Sequence, residues 1–524
     1  MMPAAHGMRP PQGIAFNALQ QFGSTGLLMA LSLFSAPYVV HHLGPEWYGF
    51  LVLVGLTTSN MAMIDLGLGE AAVKFLAEEH AAGNGPGLRR VFWTSLWAYL
   101  GLGLAGAAGV LLLAPWLLRV LHVPPDMRLV ALQVFRISAA GLVLSMLAGA
   151  VAAVPRALER FDVVSRVNAL VGSGQLVLSM ALLYLGFSIR GLVAGSAVLQ
   201  AAALLAYALA ARHLVPALGR PSWHSPTLRR MWRFGSLITL SQAGAAALAH
   251  AEKFMMSSLL TVAVVAYYAI PYNVVTAAGR IPWTLCVVLF PAFARLHAGG
   301  HHGRVTELYL RSTRYVMLLA FPLGLLLCIA SRPFLTAWMG PEIAAHSAVV
   351  LSLLAIAFII DSLATPALHA IRAGGRPELP AQYLLLQLVV HLPICFLLIR
   401  HFGIVGGAAA WLLRVVLNTA LLTLSIARLM QLNPRVLLRR TLLRTAGVSL
   451  ALAPLPAWLL PRLPPMPRVA MFGALAAVGS VYVLASVALA LDAPDRSYLR
   501  AVVGRWRRPP ALAVAAAPLL LSNP

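Results

Sequence analysis

Residues 91–118 read VFWTSLWAYLGLGLAGAAGVLLLAPWLL, and arginines at positions 90 and 119 bound this run. The run itself contains no charged side chain. A helix of this length can cross the hydrocarbon core of a bilayer, which needs about 20 predominantly apolar residues. Similar apolar runs recur along nearly the whole chain. This pattern predicts a protein that crosses a membrane many times.

The overall composition excludes a soluble globular fold. Of the 524 residues, 60% are hydrophobic and 10% are charged, whereas soluble domains carry about 25% charged residues. A water-soluble chain of this length could not hide so much apolar surface. We therefore expect an all-α polytopic membrane protein with about fourteen transmembrane helices.

The boundaries of the expected helices follow the apolar runs. Between residues 233 and 293 the pattern fits either two long helices or three short ones. The predicted spans are 17–40, 47–68, 91–118, 129–154, 163–185, 191–211, 233–258, 265–293, 313–331, 346–370, 381–399, 403–427, 443–461 and 469–491.

The formal charge of +24 has two interpretations, nucleic-acid binding or membrane topology. The basic residues lie in short loops between apolar runs, which favours topology. With the N-terminus placed inside, 28 of the 39 Lys and Arg residues fall in inside segments, eight in outside segments and three within helices. Loops rich in Lys and Arg stay in the cytoplasm. We therefore expect both termini to be cytoplasmic and no nucleic acid to bind.

A weak internal repeat predicts two six-helix halves. The tripeptide Phe-Gly-Ser occurs at 22–24 and again at 234–236, and aromatic pairs follow at 47–48 and 267–268. Transporters are often built from two such repeats, with the binding site between them. The predicted organisation is a first half at 1–215, a second half at 216–430, two further helices within 431–495 and a basic cytoplasmic tail at 496–524.

Three arginines fall inside predicted helices. Arg280 lies about fifteen residues into helix eight and Arg414 about eleven into helix twelve, so a rise of 1.5 Å per residue places both near mid-membrane. A lone charge at the bilayer centre costs at least ~2.5–3.5 kcal/mol, so we expect both to face a watery cavity or an acid. Arg136 lies nearer the interface, where its side chain could also snorkel to water.

Two acids also fall within predicted helices, Glu252 in helix seven and Asp361 in helix ten. Either could pair with an arginine or bind a coupling proton or sodium ion, and the sequence leaves both interpretations open. Asp65, at the end of helix two, is expected to cap or pair locally. His250, His369 and His391 are either proton carriers or structural side chains.

No catalytic or cofactor-binding pattern is present in the sequence. The phosphate-binding motif G-x-x-x-x-G-K-[ST] is missing, and no loop between predicted helices is long enough for a nucleotide-binding domain. The three cysteines lie in apolar runs without the spacing of a zinc site. We expect a non-enzyme without cofactor or metal.

The segment LGPEWYG at 43–49 is followed by DLGL at 65–68 and a lysine at 74. This order resembles the polysaccharide-transport branch of the multidrug/oligosaccharidyl-lipid/polysaccharide exporter superfamily, which includes the O-antigen flippases. Members share a similar L-G-x-E-x-Y-G, then D-x-G-x and a basic residue. The matching residues are Gly44, Glu46, Tyr48, Gly49, Asp65, Gly67 and Lys74.

Two later stretches resemble the same family. Glu252-Lys253 followed by AYY at 266–268 is similar to the family's acidic-basic pair and later G-x-Y motif, although Glu replaces the usual Asp and Ala266 replaces the commoner Gly. The segment GIVGGAA at 403–409 resembles the small-residue opening of the family's helix twelve. The resemblance implies a MATE-like fold in which two six-helix halves are followed by two further helices.

The resemblance also implies a function. The family moves a polyprenyl-pyrophosphate-linked repeat unit from the cytoplasmic to the periplasmic leaflet of the inner membrane, for surface polysaccharides such as O-antigen or exopolysaccharide. The partners it implies are this lipid-linked oligosaccharide, membrane lipids and the polysaccharide polymerase and chain-length machinery. Arg280, Arg414 and Arg136 could bind the pyrophosphate, because the guanidinium fork suits phosphate oxygens.

Three other functions stay open on the sequence. A peptidoglycan-precursor flippase has the same helix number and a cationic cavity, and an ion-coupled drug or metabolite antiporter belongs to the same superfamily. An antiporter for cations would favour several intramembrane acids over three arginines. A membrane scaffold protein would need no mid-membrane arginine at all.

Overall fold

The computed structural model describes residues 14–63, 65, 67–216, 219, 221–433, 442–462 and 468–491, and the predicted basic tail at 496–524 lies outside them. Every regular element in these ranges is helical. The helices are α1 Ile14–Met63, α2 Leu68–Ala81, α3 Gly85–Val120, α4 Arg128–Ala157, α5 Phe161–Tyr184, α6 Ile189–Leu214, α7 Ser225–Leu259, α8 Val262–Ala298, α9 His302–Ile329, α10 Ser331–Met339, α11 Pro341–Ala373, α12 Glu378–Leu429, α13 Arg444–Leu452, α14 Pro454–Leu459 with a 3₁₀ turn at Leu460–Arg462, and α15 Arg468–Ala490.

Nine of the described helices are long and apolar enough to cross a membrane. Both α1 and α12 consist of two helices joined at a glycine, Gly44 (φ 78°) and Gly403 (φ 57°), where a side chain would be strained. These values confirm the predicted all-α polytopic membrane fold. The ambiguous stretch 233–293 forms two long helices, α7 and α8, and not three short ones.

Two predicted helices, two and thirteen, differ from the structure. Helix two ends at Met63 instead of residue 68, and a new helix, α2, begins after Gly67 and carries Lys74, which was expected in a loop. Asp65 therefore lies in a break between two helices and not at the end of a span. The stretch predicted as helix thirteen, 443–461, is divided at Ala453 into α13 and α14.

The buried apolar side chains form two main clusters. The first joins α1 to α3, α4 and α6, and in it Phe50 meets Phe135 edge-on at 5.6 Å between ring centroids. The second joins α8 and α11 to α10 and α12, around Tyr268 and Trp411. Each cluster also includes side chains from the other predicted half, Val262 and Val265 in the first and Val40 in the second, so the division at 215 and 430 stays a prediction.

The last helices pack on the outside of the second core. Leu475 of α15 is buried against Ala337 of α10 and against Ala330, the residue just before α10. At the opposite end of α15, Arg444 of α13 donates through Nη2 to the carbonyl oxygens of Leu489 and Leu491 at 3.3 and 3.2 Å. An arginine at this position satisfies carbonyls that a helix end leaves without partners.

The two halves meet at both ends of the bundle, here called the Gly44 end and the Gly83 end after the turns they carry. At the Gly44 end, a Cβ atom on Gly49 of α1 would overlap the carbonyl oxygen of Val262 at the start of α8. At the Gly83 end, a Cβ atom on Gly67 would overlap the backbone of Gly235 in α7. Both glycines belong to the motif that carries the family resemblance, and both permit contact between backbones.

Candidate functional site

The second half contains a buried cluster of charged side chains. Glu252 and Lys253 are neighbours on α7 with 0% and 2% exposure. His391 on α12 is also buried, and Asp361 on α11 and Arg414 on the second part of α12 are half-buried close by. Such groups are seldom retained inside a membrane fold without a function or a partner.

Glu252 is held by a histidine from another helix. Its Oε1 lies 3.0 Å from Nε2 of His391, 139 positions further along the chain. Its second oxygen, Oε2, has no hydrogen-bond partner within the described part of the protein. The carboxylate can therefore accept one more hydrogen bond or a proton without breaking the existing contact.

Lys253 has aromatic neighbours in place of an acid. Its Nζ lies 3.6 Å from the centroid of the Tyr272 ring and 5.7 Å from that of Tyr268. The ammonium has no hydrogen-bond partner among the described residues. A cation over an aromatic face is attracted by the negative charge of the π cloud, and the attraction grows when water is excluded. Aromatic rings of α8 thus stabilise Lys253, whereas His391 of α12 holds Glu252.

Arg414 and Asp361 complete the cluster. The guanidinium carbon of Arg414 lies 5.7 Å from the ring of Trp411, one turn earlier on the same helix. Arg414 interacts electrostatically with both Glu252 and Asp361, although no pair of their charged atoms comes within 4.0 Å. With both acids ionised and both Lys253 and Arg414 cationic, the cluster is close to neutral when His391 is neutral. Protonation of His391 would add one positive charge.

Arg280 lies on a different surface. Ala266, Asn273, Arg280 and Val287 are spaced by seven residues on α8 and therefore share one face of the helix. Near the Gly44 end this face contacts α1, because Ala266 is buried beneath Gly49 and Tyr48 hydrogen-bonds to Asn273. The same face is exposed at Asn273, Arg280 and Val287.

Contact and exposure thus alternate along this face of α8. It meets the backbone of α1 at Gly49 and is exposed further along, toward the Gly83 end. Arg280 lies on the exposed part. Within the described residues no carboxylate oxygen lies within 4.0 Å of the Arg280 guanidinium. The electrostatic partner of Asp361 is Arg414 and not Arg280.

Arg136 is not brought together with the other two arginines. It is exposed on α4 in the first half, two turns from the start of that helix at Arg128. At this depth a long side chain can extend to the interface. The structure thus gathers Arg414 with Glu252 and Asp361, places Arg280 on the open face and leaves Arg136 apart.

Asp65 has the local role expected of it. Its carboxylate accepts hydrogen bonds from the backbone N–H groups of Gly67 and Gly69 at 2.9 and 3.1 Å. The Tyr99 hydroxyl of α3 donates to it at 2.7 Å. The first two bonds occupy donors that the start of α2 leaves free, and an acid at a helix N-terminus is favoured by the helix dipole.

Other motif residues join the halves. Lys74 Nζ lies 4.3 Å from the ring centroid of Phe234 on α7. Next to it, Arg230 of α7 forms an ion pair with Glu78 of α2 at 2.9 Å. At the Gly44 end, Glu46 interacts electrostatically with Tyr267 of α8. These contacts give the motif a structural role at the boundary between the two halves.

Sequence reasoning missed a polar cavity in the first half. It has a volume of about 260 Å³ and is lined by Asp65, Glu70, Tyr99 and Arg156 together with small and apolar side chains. Arg156 was counted among loop residues, yet it lies in the last turn of α4. The motif acid Asp65 was the one signal in the sequence that pointed to this region.

The fold and its buried charges define a polytopic membrane protein of the transporter type. Comparison with known families then identifies the group. Residues 42–348 match the family described as "Polysaccharide biosynthesis protein", and the chain belongs to that family. This match includes the motif residues from Gly44 to Lys74 and confirms the predicted membership.

Individual relatives agree with this assignment. The Shigella flexneri protein named "Putative O-antigen transporter" is 22% identical over 388 residues, which is 74% of this chain and 91% of the relative. The lipid II flippase MurJ, in an inward closed conformation, has a similar fold with a TM-score of 0.70 at 10% identity, covering 94% of this chain and all of that one. An inward-facing MATE transporter of the MOP superfamily gives 0.68 at 14% identity over 76% and 94%.

Proposed function

We propose that this protein is a flippase that moves a polyprenyl-pyrophosphate-linked oligosaccharide across the cell membrane for surface polysaccharide synthesis. The observation that carries the proposal is Arg280, an exposed cation on α8 without an ion-pair partner among the described residues, and we infer that it lines a gap between the two halves. Family membership and the similarity to a protein named as an O-antigen transporter support the class of cargo. No catalytic step is part of this function.

The proposed mechanism is alternating access. The backbone contact between α1 and α8 at Gly49 would seal the Gly44 end, and the exposed face at Arg280 would line a gap reached from the Gly83 end beside the α2–α7 contact. The bias of Lys and Arg in the loops predicts that the Gly83 end and both termini face the cytoplasm. The cargo would then enter from the cytoplasmic leaflet of the inner membrane and leave after the α1–α8 contact separates.

In this proposal Arg280 binds the pyrophosphate of the cargo. A guanidinium donates two parallel hydrogen bonds to phosphate oxygens, and such charge-assisted bonds are strong where water is scarce. Arg414 lies in the same half and adds positive potential, although Glu252 and Asp361 offset part of it. Arg136 on the first half would contact the cargo at a later stage, nearer the Gly44 end.

The buried cluster would couple transport to an ion gradient. Glu252 has one oxygen without a hydrogen-bond partner among the described residues, and His391, the side chain in contact with it, can carry a proton on either ring nitrogen. A proton taken up there changes the charge of a cluster that is otherwise near neutral. Asp361, next to Arg414, is the second candidate for this role.

A second candidate function is flipping of a peptidoglycan precursor. The observation in its favour is the fold similarity to MurJ over 94% of this chain. Both cargoes present a pyrophosphate, so the arginines do not distinguish them. The two functions differ in what a cell without the protein accumulates.

Deletion of the gene tests the proposal directly. We expect loss of surface polysaccharide and accumulation of lipid-linked repeat units in the cytoplasmic leaflet, with peptidoglycan synthesis intact. Accumulation of a peptidoglycan precursor with cell lysis would favour the second candidate. Polysaccharide polymerase and chain-length proteins are the expected partners, and co-purification from membranes would detect them.

A further inference from the structure

A large aromatic side chain lies next to Arg280 on the exposed part of α8. Trp283 lies three residues further along, and 46% of its surface is exposed. Residues three apart on a helix are neighbours on its surface, with Cβ atoms about 5–6 Å apart. Val287 and Phe290 continue the stripe toward the Gly83 end, with 46% and 37% exposure.

The Trp283 ring is held from one side by the second half. Its centroid lies 5.1 Å from that of His369 on α11, at an angle of 62° between the rings. The same histidine lies 6.2 Å from Phe290, and it is itself 95% buried. His369 therefore supports two exposed aromatic rings of α8 and restricts how Trp283 can turn, while nearly half of the indole stays accessible.

We propose that Trp283 stacks on the first sugar of the cargo while Arg280 binds the adjoining phosphate. This inference rests on the proposed function, which places a pyrophosphate at Arg280. The first sugar is bonded directly to that pyrophosphate, so it lies within one helical turn of the phosphate site. One face of a pyranose ring carries mainly C–H groups, and a rigid indole packs against such a face by dispersion and by the attraction of C–H groups to the π cloud.

The order of Arg280 and Trp283 along α8 would set the orientation of the bound phosphate and sugar. Trp283 is on the Gly83 side of Arg280, the side from which the proposed gap would be entered. The sugar would thus point toward the open end while the phosphate contacts the deeper arginine. An indole recognises a ring face and not a pattern of hydroxyl groups, so this contact selects for a sugar next to the phosphate without selecting a particular one.

Binding of two probes to the purified protein tests the inference. Native mass spectrometry measures the affinity for undecaprenyl pyrophosphate and for undecaprenyl-pyrophosphate-N-acetylglucosamine. For Trp283→Leu we expect about three- to tenfold weaker binding of the sugar-bearing lipid and unchanged binding of the sugar-free lipid, on the scale of an aromatic packing contact. Trp283→Phe should retain most of the affinity because it keeps a flat ring.

The matched control is Trp116→Leu on α3, a tryptophan with 55% exposure that is far from Arg280 in the sequence. It should bind both probes as the unmodified protein does. Equal weakening of both probes by Trp283→Leu would show contact with the lipid tail and overturn the inference. Unchanged binding of both probes would overturn it as well. Failure of the unmodified protein to bind either probe would instead contradict the proposed function.

Discussion

Glu252 and His391 meet at 3.0 Å in the interior of the second half, on helices α7 and α12 that are far apart in the chain. The exposed fractions of the two side chains are 0% and 3%. Leaving one member of such a buried pair without the other costs free energy, because the remaining group loses its partner as well as water. The pair therefore links two helices of one half through a contact that depends on protonation.

The first prediction concerns this pair. Glu252→Gln keeps the shape of the side chain but removes the charge that a coupling proton would neutralise. We expect the variant to insert normally and to lose the dependence of transport on an imposed pH gradient in proteoliposomes. Glu307→Gln is the control, since Glu307 is exposed and paired with Arg311 at 2.7 Å. A gradient dependence equal to that of the unmodified protein would exclude Glu252 as the coupling site.

The second prediction concerns Arg280. Arg280→Ala should abolish complementation of a deletion strain at normal protein levels, because the exposed cation that binds the pyrophosphate is gone. Arg280→Lys should retain part of the activity, since it keeps the charge and loses the bidentate fork. Surface polysaccharide on gels measures both variants, and Arg400→Ala, an exposed arginine that follows His391 on the same helix, is the control.

A double variant separates phosphate binding from simple charge neutralisation. If Arg280 served only to neutralise Asp361, removing both charges would restore transport. We expect Arg280→Ala with Asp361→Ala to stay inactive, because Asp361 interacts with Arg414 in the structure. Recovery of surface polysaccharide in this double variant would contradict the binding role.

The third prediction uses the contact between the halves. A Cβ atom at Gly49 would overlap the backbone of Val262, so Gly49→Ala forces α1 and α8 apart at the Gly44 end. We expect at least a tenfold loss of transport with normal insertion, because the sealed state is destabilised by more than about 1.4 kcal/mol. Gly55→Ala is the matched control, since nothing lies within 4 Å of a Cβ atom at that position.

The reactivity of an introduced cysteine tests the contact between α1 and α8 without a transport assay. A cysteine introduced at Asn273 should react faster with an impermeant thiol reagent added from outside in the Gly49→Ala background than alone. Equal labelling rates in the two backgrounds, together with full transport by Gly49→Ala, would show that this contact does not seal the protein.

The fourth prediction concerns topology. The loop charge predicts that both termini lie in the cytoplasm and the turn at Gly44 outside. A reporter that is active only in the periplasm should work when fused after Pro45 and stay silent when fused after Leu491. The reverse pattern would contradict the orientation and, with it, the direction in which the gap at Arg280 opens.

The sequence alone determined the features that depend on composition and local order. Uncharged runs such as 91–118 predicted the spanning helices, because burying a charge in lipid is costly wherever the helix packs. The motif from Gly44 to Lys74 predicted the family, and the local role of Asp65 followed from its position before a helix. The end of the helix at Met63 was missed, because the single acid Asp65 hardly interrupts the apolar pattern and periodicity does not report backbone kinks.

Only the tertiary structure decided which charges meet. Glu252 and His391 are 139 positions apart, and no periodicity relates the faces of helices so distant in the chain. The sequence placed Arg280 and Arg414 at similar depth, yet one lies on an open face of α8 and the other beside two acids. That difference arises from the helices that surround each side chain, because Glu252 of α7 and Asp361 of α11 lie near Arg414, and such packing does not follow from the periodicity of one helix.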